Sequence, residues 1–406
     1  MTPGDKSGAA DRRRMPLRDD RSLLHEEGAC LPLRSRHGQC RACAEACPIG
    51  ALSVDVSAVV LSHDCIGCGR CTAVCPTQAL SLPELLALPE PAVLAAEAAP
   101  EPAAAEPLRV ECRMVPAGLL DAQTMVVPCV GALTPGRLLA HAAAGHSVQV
   151  VDRGWCDGCA AGCNERQPAH PAAAAVAAAS AWLDETQATP RVTLQCEPLP
   201  LHLRPNELPP APDLAAPVDR RRFFRAALDK PAGRDRASAT PMGGDGRAAY
   251  PAADRHPSPE RERQHAALRR LTAARGEDVP AEFFPTLHAD ARCCDRRMCT
   301  ALCPTAALTV SDDGTAAHLQ FDPVRCIACG TCERACPEGA LALTPHGGTP
   351  AVRTLASHRR LRCGDCGEAF TTAAGVDADA PSLCPTCTKS RRFIADARRQ
   401  LFGALN

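Results

Sequence analysis

The chain has 406 residues, a formal charge of −1 and 26 Cys, with 46% hydrophobic but only 3% aromatic residues. That balance excludes a polybasic nucleic-acid binder and a polyacidic chain, and the scarcity of large side chains argues against one big globule and for a string of small metal-stapled modules. The cysteines fall into metal-ligand spacings rather than a disulfide framework, which implies a reducing, cytoplasmic setting. The N-terminus has no apolar core of seven or more residues, and no stretch reaches eighteen apolar residues, so neither secretion nor a membrane span is expected.

Residues 1–27 are polar and expected to be loose. From residue 28 to 83 two cysteine runs follow each other, CRACAEACPIGAL and CIGCGRCTAVCPTQAL. The second is C-x2-C-x2-C-x3-C-P without a departure: Cys65, Cys68, Cys71, Cys75 and Pro76. Three thiolates two residues apart let one tight loop wrap three corners of a cubane. The fourth, three residues on, faces a second cluster. The Pro fixes φ at the exit and has no N–H to satisfy. Two such halves exchange fourth ligands. This pairs Cys47 with Cys65, Cys68 and Cys71 around one cluster, and Cys75 with Cys40 and Cys43 around its neighbour. The stretch resembles the bacterial-type 2[4Fe-4S] ferredoxins. By register the remaining ligand belongs at His37. Thiolates are the usual iron–sulfur ligands and imidazole the rarer one, so Cys30 is the expected fourth ligand and His37 the alternative.

A Pro- and Ala-rich linker, 84–107, is followed by an α/β pattern over 108–197. RVECRMV, TMVVPCVGAL and HSVQVVDRG read as short buried strands. Between the last two, Thr134 and Pro135 open a crossover helix, and an Ala-rich helix from Pro171 and the strand RVTLQCEPL close the unit. Its cysteines, Cys112, Cys129, Cys156, Cys159 and Cys163, sit where strands end. The arrangement resembles the iron–sulfur delta subunit of methyl-viologen-reducing hydrogenase, although its C-x2-C-x3-C turn departs from that family. The resemblance implies a fifth cluster there; buried unligated thiols or a zinc are the alternative.

Residues 198–287 read as a second linker with basic amphipathic helices. One is VDRRRFFRAAL; another starts at Ser258 and Pro259, an N-cap followed by Pro at the first helical position. No aromatic interleaving of the kind used on single strands accompanies them. A second ferredoxin module occupies 288–345, where CPTAALTV and CPEGALAL echo CPIGALSV and CPTQALSL, so one half-module occurs four times. Cys303, Cys326, Cys329 and Cys332 make a complete ligand set. The partner half keeps Cys293, Cys299 and Cys336, but Arg296 stands at the middle position. That C-x5-C run resembles the [3Fe-4S] version of the fold, whereas Cys294 as fourth ligand would give [4Fe-4S], the preferred reading. Over 358–406, Cys363, Cys366, Cys384 and Cys387 form two knuckles that read as a closed zinc ribbon. A rubredoxin-like iron is the alternative, and a C-terminal amphipathic helix is expected to cover the ribbon.

The expectation is therefore an α+β multidomain chain: two ferredoxin-like modules, a small α/β domain and a C-terminal zinc ribbon joined by Pro/Ala-rich linkers. It would carry [4Fe-4S] clusters and zinc and act as a multi-cluster electron-transfer protein, a polyferredoxin-like carrier or an oxidoreductase subunit. Its partners would be donor and acceptor redox proteins. A redox- or iron-sensing or assembly protein with labile clusters is the alternative.

Overall fold

The computed structural model describes residues 14–91, 106–206, 255, 257–373 and 383–403. The chain divides into two units, one of residues 1–254 and 259–279 and the other of 255–258 and 280–406. The expected helix in VDRRRFFRAAL and most of both linkers lie outside the described residues. Among the described residues no helix is long and apolar enough to cross a membrane.

In the first unit, Cys40–Pro76 folds around a hairpin of β1 (Leu52–Val54) and β2 (Val59–Leu61), paired Leu52↔Leu61 and Val54↔Val59. The alternation of these strands sends Leu52, Val59 and Leu61 inward, where they pack with Leu23, Leu80, Leu82 and Leu85. The module starts earlier than the sequence suggested. Leu24–His25 pairs with both Met15–Pro16 and Leu80–Ser81, and Leu23 is buried, so residues from Met15 onward belong to it rather than to a loose tail.

The α/β domain follows the expected pattern closely. Strands β3 (Leu108–Cys112), β4 (Met125–Val127), β5 (Val148–Asp152) and β6 (Val192–Cys196) form a fully parallel sheet in the order β4-β3-β5-β6. Helix α1 (Pro135–Ala143) is N-capped by Thr134, whose Oγ1 accepts from Arg137 N at 3.3 Å. Helix α2 (Ala173–Glu185) packs on α1 through Val176, Ala179 and Leu183. Helix α3 (Pro259–Ala273) starts at the predicted Pro, but it is no linker element. It lies along α1 with Ala267 and Leu268 fully buried, and the Glu260 carboxylate caps the start of α1, accepting from Gly136 N at 2.6 Å and from Thr134 Oγ1 at 2.7 Å.

The ferredoxin module and the α/β domain are docked, not tethered. Arg70, between Cys68 and Cys71, is buried and donates through Nη1 to the carbonyls of Ala161 (2.9 Å) and Gly162 (3.0 Å), with Nη2 on Gln167. Arg113 reaches Ile66 O at 2.9 Å, Arg137 reaches Leu85 O at 2.9 Å and Asn164 reaches Pro48 O at 3.1 Å. Close approach also explains the Gly of PCVG: a Cβ on Gly131 would meet Pro171 Cβ at 2.8 Å and Arg70 Cγ at 2.9 Å.

In the second unit, β7 (Thr286–Ala289) pairs antiparallel with β10 (Leu341–Thr344), while β8 (Leu308–Asp312), β9 (Ala316–Phe321), β11 (Arg353–Arg362) and β12 (Ala369–Ala373) form one antiparallel sheet in that order. The ribbon was expected as a separate domain from residue 358. Instead its hairpin, β11 and β12, continues the sheet of the ferredoxin module, β11 pairing directly with β9. Helix α4 (Pro385–Phe402) starts from the Cys384 thiol as N-cap, yet Phe393 is 75% exposed, so this apolar side chain does not cover the ribbon as expected.

Candidate metal centres

Each half-module motif becomes a tight loop leading into a short helix; Cys43, Cys71, Cys299 and Cys332 lie on these helices and the other cysteines lie outside them. In CIGCGRC, Gly67 and Gly69 sit at φ of 61° and 79°; a Cβ on Gly69 would also meet Ala132 Cβ at 2.9 Å, so the position demands glycine twice over. Cys30, Cys40, Cys43 and Cys75 line one cavity together with His25. The structure thus brings Cys30 to the three register cysteines. His37 is not part of that lining, and its Nε2 takes a hydrogen bond from Arg36. Burial pushes the Cys30 thiol up to about 12 and Cys43 to about 11. Thiols held up in this way must give up their protons when a metal binds.

Cys47, Cys65, Cys68 and Cys71 form the adjoining group. Burial holds the Cys71 thiol well above its ordinary value, and Cys68, Cys43, Cys65 and Cys47 reinforce the shift. Cys43 belongs to the first group, so the two groups are neighbours. Cys47 Sγ accepts from Ala51 N at 3.2 Å, one of the inward amides that offset anionic sulfur.

The α/β domain holds a cavity of ≈ 200 Å³ lined by Cys112, Cys129, Cys156 and Cys159, with Ile66 and Cys68 of the ferredoxin module in the same wall. Cys112 ends β3, and Cys129, Cys156 and Cys159 lie in the loops that follow β4 and β5, all at one end of the parallel sheet, the usual place for a site in such a fold. Burial raises Cys129 to about 12 and pushes Cys112 and Cys156 up as well. Cys163 is not brought to this cavity: its Sγ lies 3.6 Å from Ala169 O. The turn after Cys159 carries it outward.

Sequence reasoning missed His170, whose Nε2 stands 3.4 Å from Cys156 Sγ and 3.8 Å from Asp152 Oδ1. Its Nδ1 accepts from Ala172 N at 3.3 Å, which leaves the proton of the neutral ring on Nε2. The trio of Asp152, Cys156 and His170 is close enough to suggest a metal site, but that tautomer makes it a hydrogen-bonded group.

In the second unit, Cys303, Cys326, Cys329 and Cys332 repeat the regular loop, with Ala328 and Gly330 at φ of 51° and 67° where the first module has Gly67 and Gly69. Burial raises Cys332, followed by Cys329, Cys326 and Cys303, and then Cys299 of the irregular half. That half places Cys293, Cys294, Cys299 and Cys336 around one cavity, closed by Glu338, Arg296 and His358. Arg296 Nε pairs with Glu338 Oε1 at 3.0 Å. Burial pushes the Cys294 thiol up, Glu338 adds to the shift and Arg296 opposes it, so Cys294 lines the site next to this ion pair.

The four ribbon sulfurs lie within 4.8 Å of one another, Cys366 and Cys384 at 3.8 Å. A tetrahedral ion with metal–sulfur bonds of about 2.3 Å needs sulfurs about 3.8 Å apart, so the set fits one four-coordinate ion. Backbone donors, Cys384 N at 3.3 Å and Asp365 N at 3.4 Å, converge on Cys363 Sγ and draw that thiol down to about 6.

Comparison with known proteins agrees with the two modules. Residues 38–79 match the 4Fe-4S dicluster domain, and residues 319–342 match the 4Fe-4S binding domain. An uncharacterized ferredoxin of Methanocaldococcus jannaschii is 33% identical over 60 residues, 14% of this chain and 36% of its own length. A tetrathionate reductase subunit of Archaeoglobus fulgidus is 38% identical over 66 residues, 16% of this chain and 30% of its own. An iron-sulfur protein of Rhodospirillum rubrum is 30% identical over 69 residues, 17% of this chain and 36% of its own. The chain spans about a third of the length of these relatives. The matched stretches put a 4Fe-4S-type domain in each of the two units, residues 38–79 in the first and 319–342 in the second.

Proposed function

We propose that the chain is a polyferredoxin-like electron-transfer subunit that relays single electrons between a donor and an acceptor oxidoreductase. Its four ferredoxin-type sites would be held by Cys30, Cys40, Cys43 and Cys75; by Cys47, Cys65, Cys68 and Cys71; by Cys293, Cys294, Cys299 and Cys336; and by Cys303, Cys326, Cys329 and Cys332. A fifth cluster would take Cys112, Cys129, Cys156 and Cys159. Zinc would take Cys363, Cys366, Cys384 and Cys387 as a closed structural ion. Clusters of this type supply one-electron redox centres, with potentials set by hydrogen bonds to sulfur, burial and charge.

The observation that carries the reading is the placing of Cys68. It belongs to the second ligand set and also lines the α/β cavity, while Cys43 of the first set neighbours Cys71. Within one unit the second thiol group thus borders both the first and the third, a contiguity that a relay would need. Buried Arg70 fixes the spacing between the second and the third. The test is anaerobic quantification of iron, sulfide and zinc with EPR. About fifteen or sixteen iron are expected from the four ferredoxin-type sites, with further iron from the α/β domain. A content near eight would leave one module without function as a cluster carrier and end the relay reading.

A further inference from the structure

The irregular site of the second unit has a component that its cysteine motif does not contain. His358 lies on β11, is 1% exposed, and presents Nε2 3.5 Å from Cys293 Sγ. Its backbone is held from both sides, His358 pairing with Ala317 on β9 and with Ala373 on β12, so the ring is fixed by the sheet. Among the described residues, Nδ1 has no hydrogen-bond partner.

Two roles are open to a buried imidazole beside a ligand sulfur, and the distance separates them. As the missing fourth ligand, Nε2 would have to bind a different iron from the one that takes Cys293, because each corner of a cubane accepts one protein ligand. A nitrogen 3.5 Å from that sulfur is within its hydrogen-bonding reach, not at a second corner. As a donor, the geometry fits. A metal-bound thiolate carries no proton, so a hydrogen bond across this gap runs from Nε2–H to sulfur, and the neutral ring then keeps Nδ1 as a bare lone pair.

We propose that His358 is a positioning and tuning residue for the irregular cluster, donating Nε2–H to the Cys293 thiolate and raising the potential of that cluster. Reduction adds negative charge, part of which falls on the ligand sulfurs. A donor fixed on one of them stabilises the reduced state more than the oxidised one. The device comes from the ribbon hairpin, which explains why β11 is fused to the ferredoxin sheet instead of hanging from a linker: the fusion delivers His358. The inference rests on the reading of Cys293, Cys299 and Cys336 as cluster ligands.

The experiment is an EPR-monitored redox titration of the full holoprotein at one fixed pH, comparing wild type, His358→Leu and His358→Gln, with iron counted for each. The expected result in His358→Leu is a lower midpoint for the irregular cluster alone. A tenfold change in its oxidised-to-reduced ratio at fixed solution potential is about 59 mV for one electron. His358→Gln, which keeps an N–H donor, should recover part of the shift. An unmoved midpoint in a Leu variant with full iron content overturns the proposal. Should the Leu variant fail to hold iron at this site, pulsed EPR of wild type carrying 15N-labelled histidine decides: a weak coupling to an imidazole nitrogen supports the donor, its absence overturns it, and a strong coupling to a directly bonded nitrogen replaces the donor by a ligand. A wild-type second unit holding only one cluster would overturn the cluster reading, and the inference with it.

Discussion

Arg70→Met should loosen the α/β domain from the ferredoxin module without unfolding either. The guanidinium makes hydrogen bonds to Ala161 O, Gly162 O and Gln167 Oε1, and the residue is 9% exposed. Hydrogen bonds from a charged donor contribute about 1.5 to 3 kcal/mol each, and removing the donor strands two buried carbonyls. Against this stands the desolvation of the guanidinium, which Met avoids. Taking the net at about 3 kcal/mol, the loop from Cys156 to Gln167 should open about a hundredfold more often, at about 1.36 kcal/mol per factor of ten. Hydrogen exchange read by mass spectrometry on the holoprotein is the assay. The amides of that loop, such as Gly162 N and Cys163 N, should exchange about a hundredfold faster, while the β1–β2 hairpin stays protected. Arg70→Lys should behave almost as Met does, because a single, shorter-reaching ammonium nitrogen cannot stand both where Nη1 meets the two carbonyls and where Nη2 meets Gln167. Unchanged exchange over 156–167, or faster exchange spread evenly through the unit, would refute the docking role.

Cys384→Ser should abolish zinc retention and unfold the ribbon hairpin beyond Arg362, seen as lost zinc and new protease sites, with the visible spectrum of the regular clusters intact. Because Cys129 lines the α/β cavity and Cys163, whose thiol lies against Ala169 O, does not, Cys163→Ser should keep full iron content, whereas Cys129→Ser should lose that of one cluster; equal losses would mean that the turn rearranges on loading. His141 is buried in α1 and its imidazole is pulled down to about 4, burial being the main cause and Arg137 the second. A group with a depressed folded-state value contributes nothing adverse above its unfolded value near 6.5 and costs stability as pH falls from there toward 4. The loss for the first unit at pH 5 is about 2 kcal/mol relative to pH 7. His141→Leu should remove that slope in denaturant unfolding, and an identical slope in both proteins would show that other groups cause it.

What could be read from the sequence was what local chemistry dictates. The cysteine runs imply their own loops, since a thiolate every third residue leaves the backbone few ways to turn. Thr134 and Pro135 announced α1, and Ser258 and Pro259 announced α3, because caps and first-turn prolines act over three or four residues. Cys30 was placed by chemistry rather than by register, on the preference of iron for sulfur over imidazole, and the structure seats it beside Cys40, Cys43 and Cys75.

The rest was illegible because it depends on groups far apart in the chain. Nothing in QPAHP marks His170 as a neighbour of Cys156, and nothing in RTLASHRRLR marks His358 as a wall of the site built by Cys293. Pro-rich segments between motifs were read as separators, yet Arg70 and Arg113 cross from one supposed domain to the next and Arg137 ties down the start of the supposed linker at Leu85, each ending on backbone carbonyls that have no sequence signature. Arginines that close such gaps look like any solvated cation until the acceptors are known. The consequence is functional. A tethered domain would let the α/β cavity drift from Cys68, and electron transfer between them would depend on encounter. A domain clamped by buried guanidinium groups holds that spacing fixed, as the proposed relay of single electrons would require.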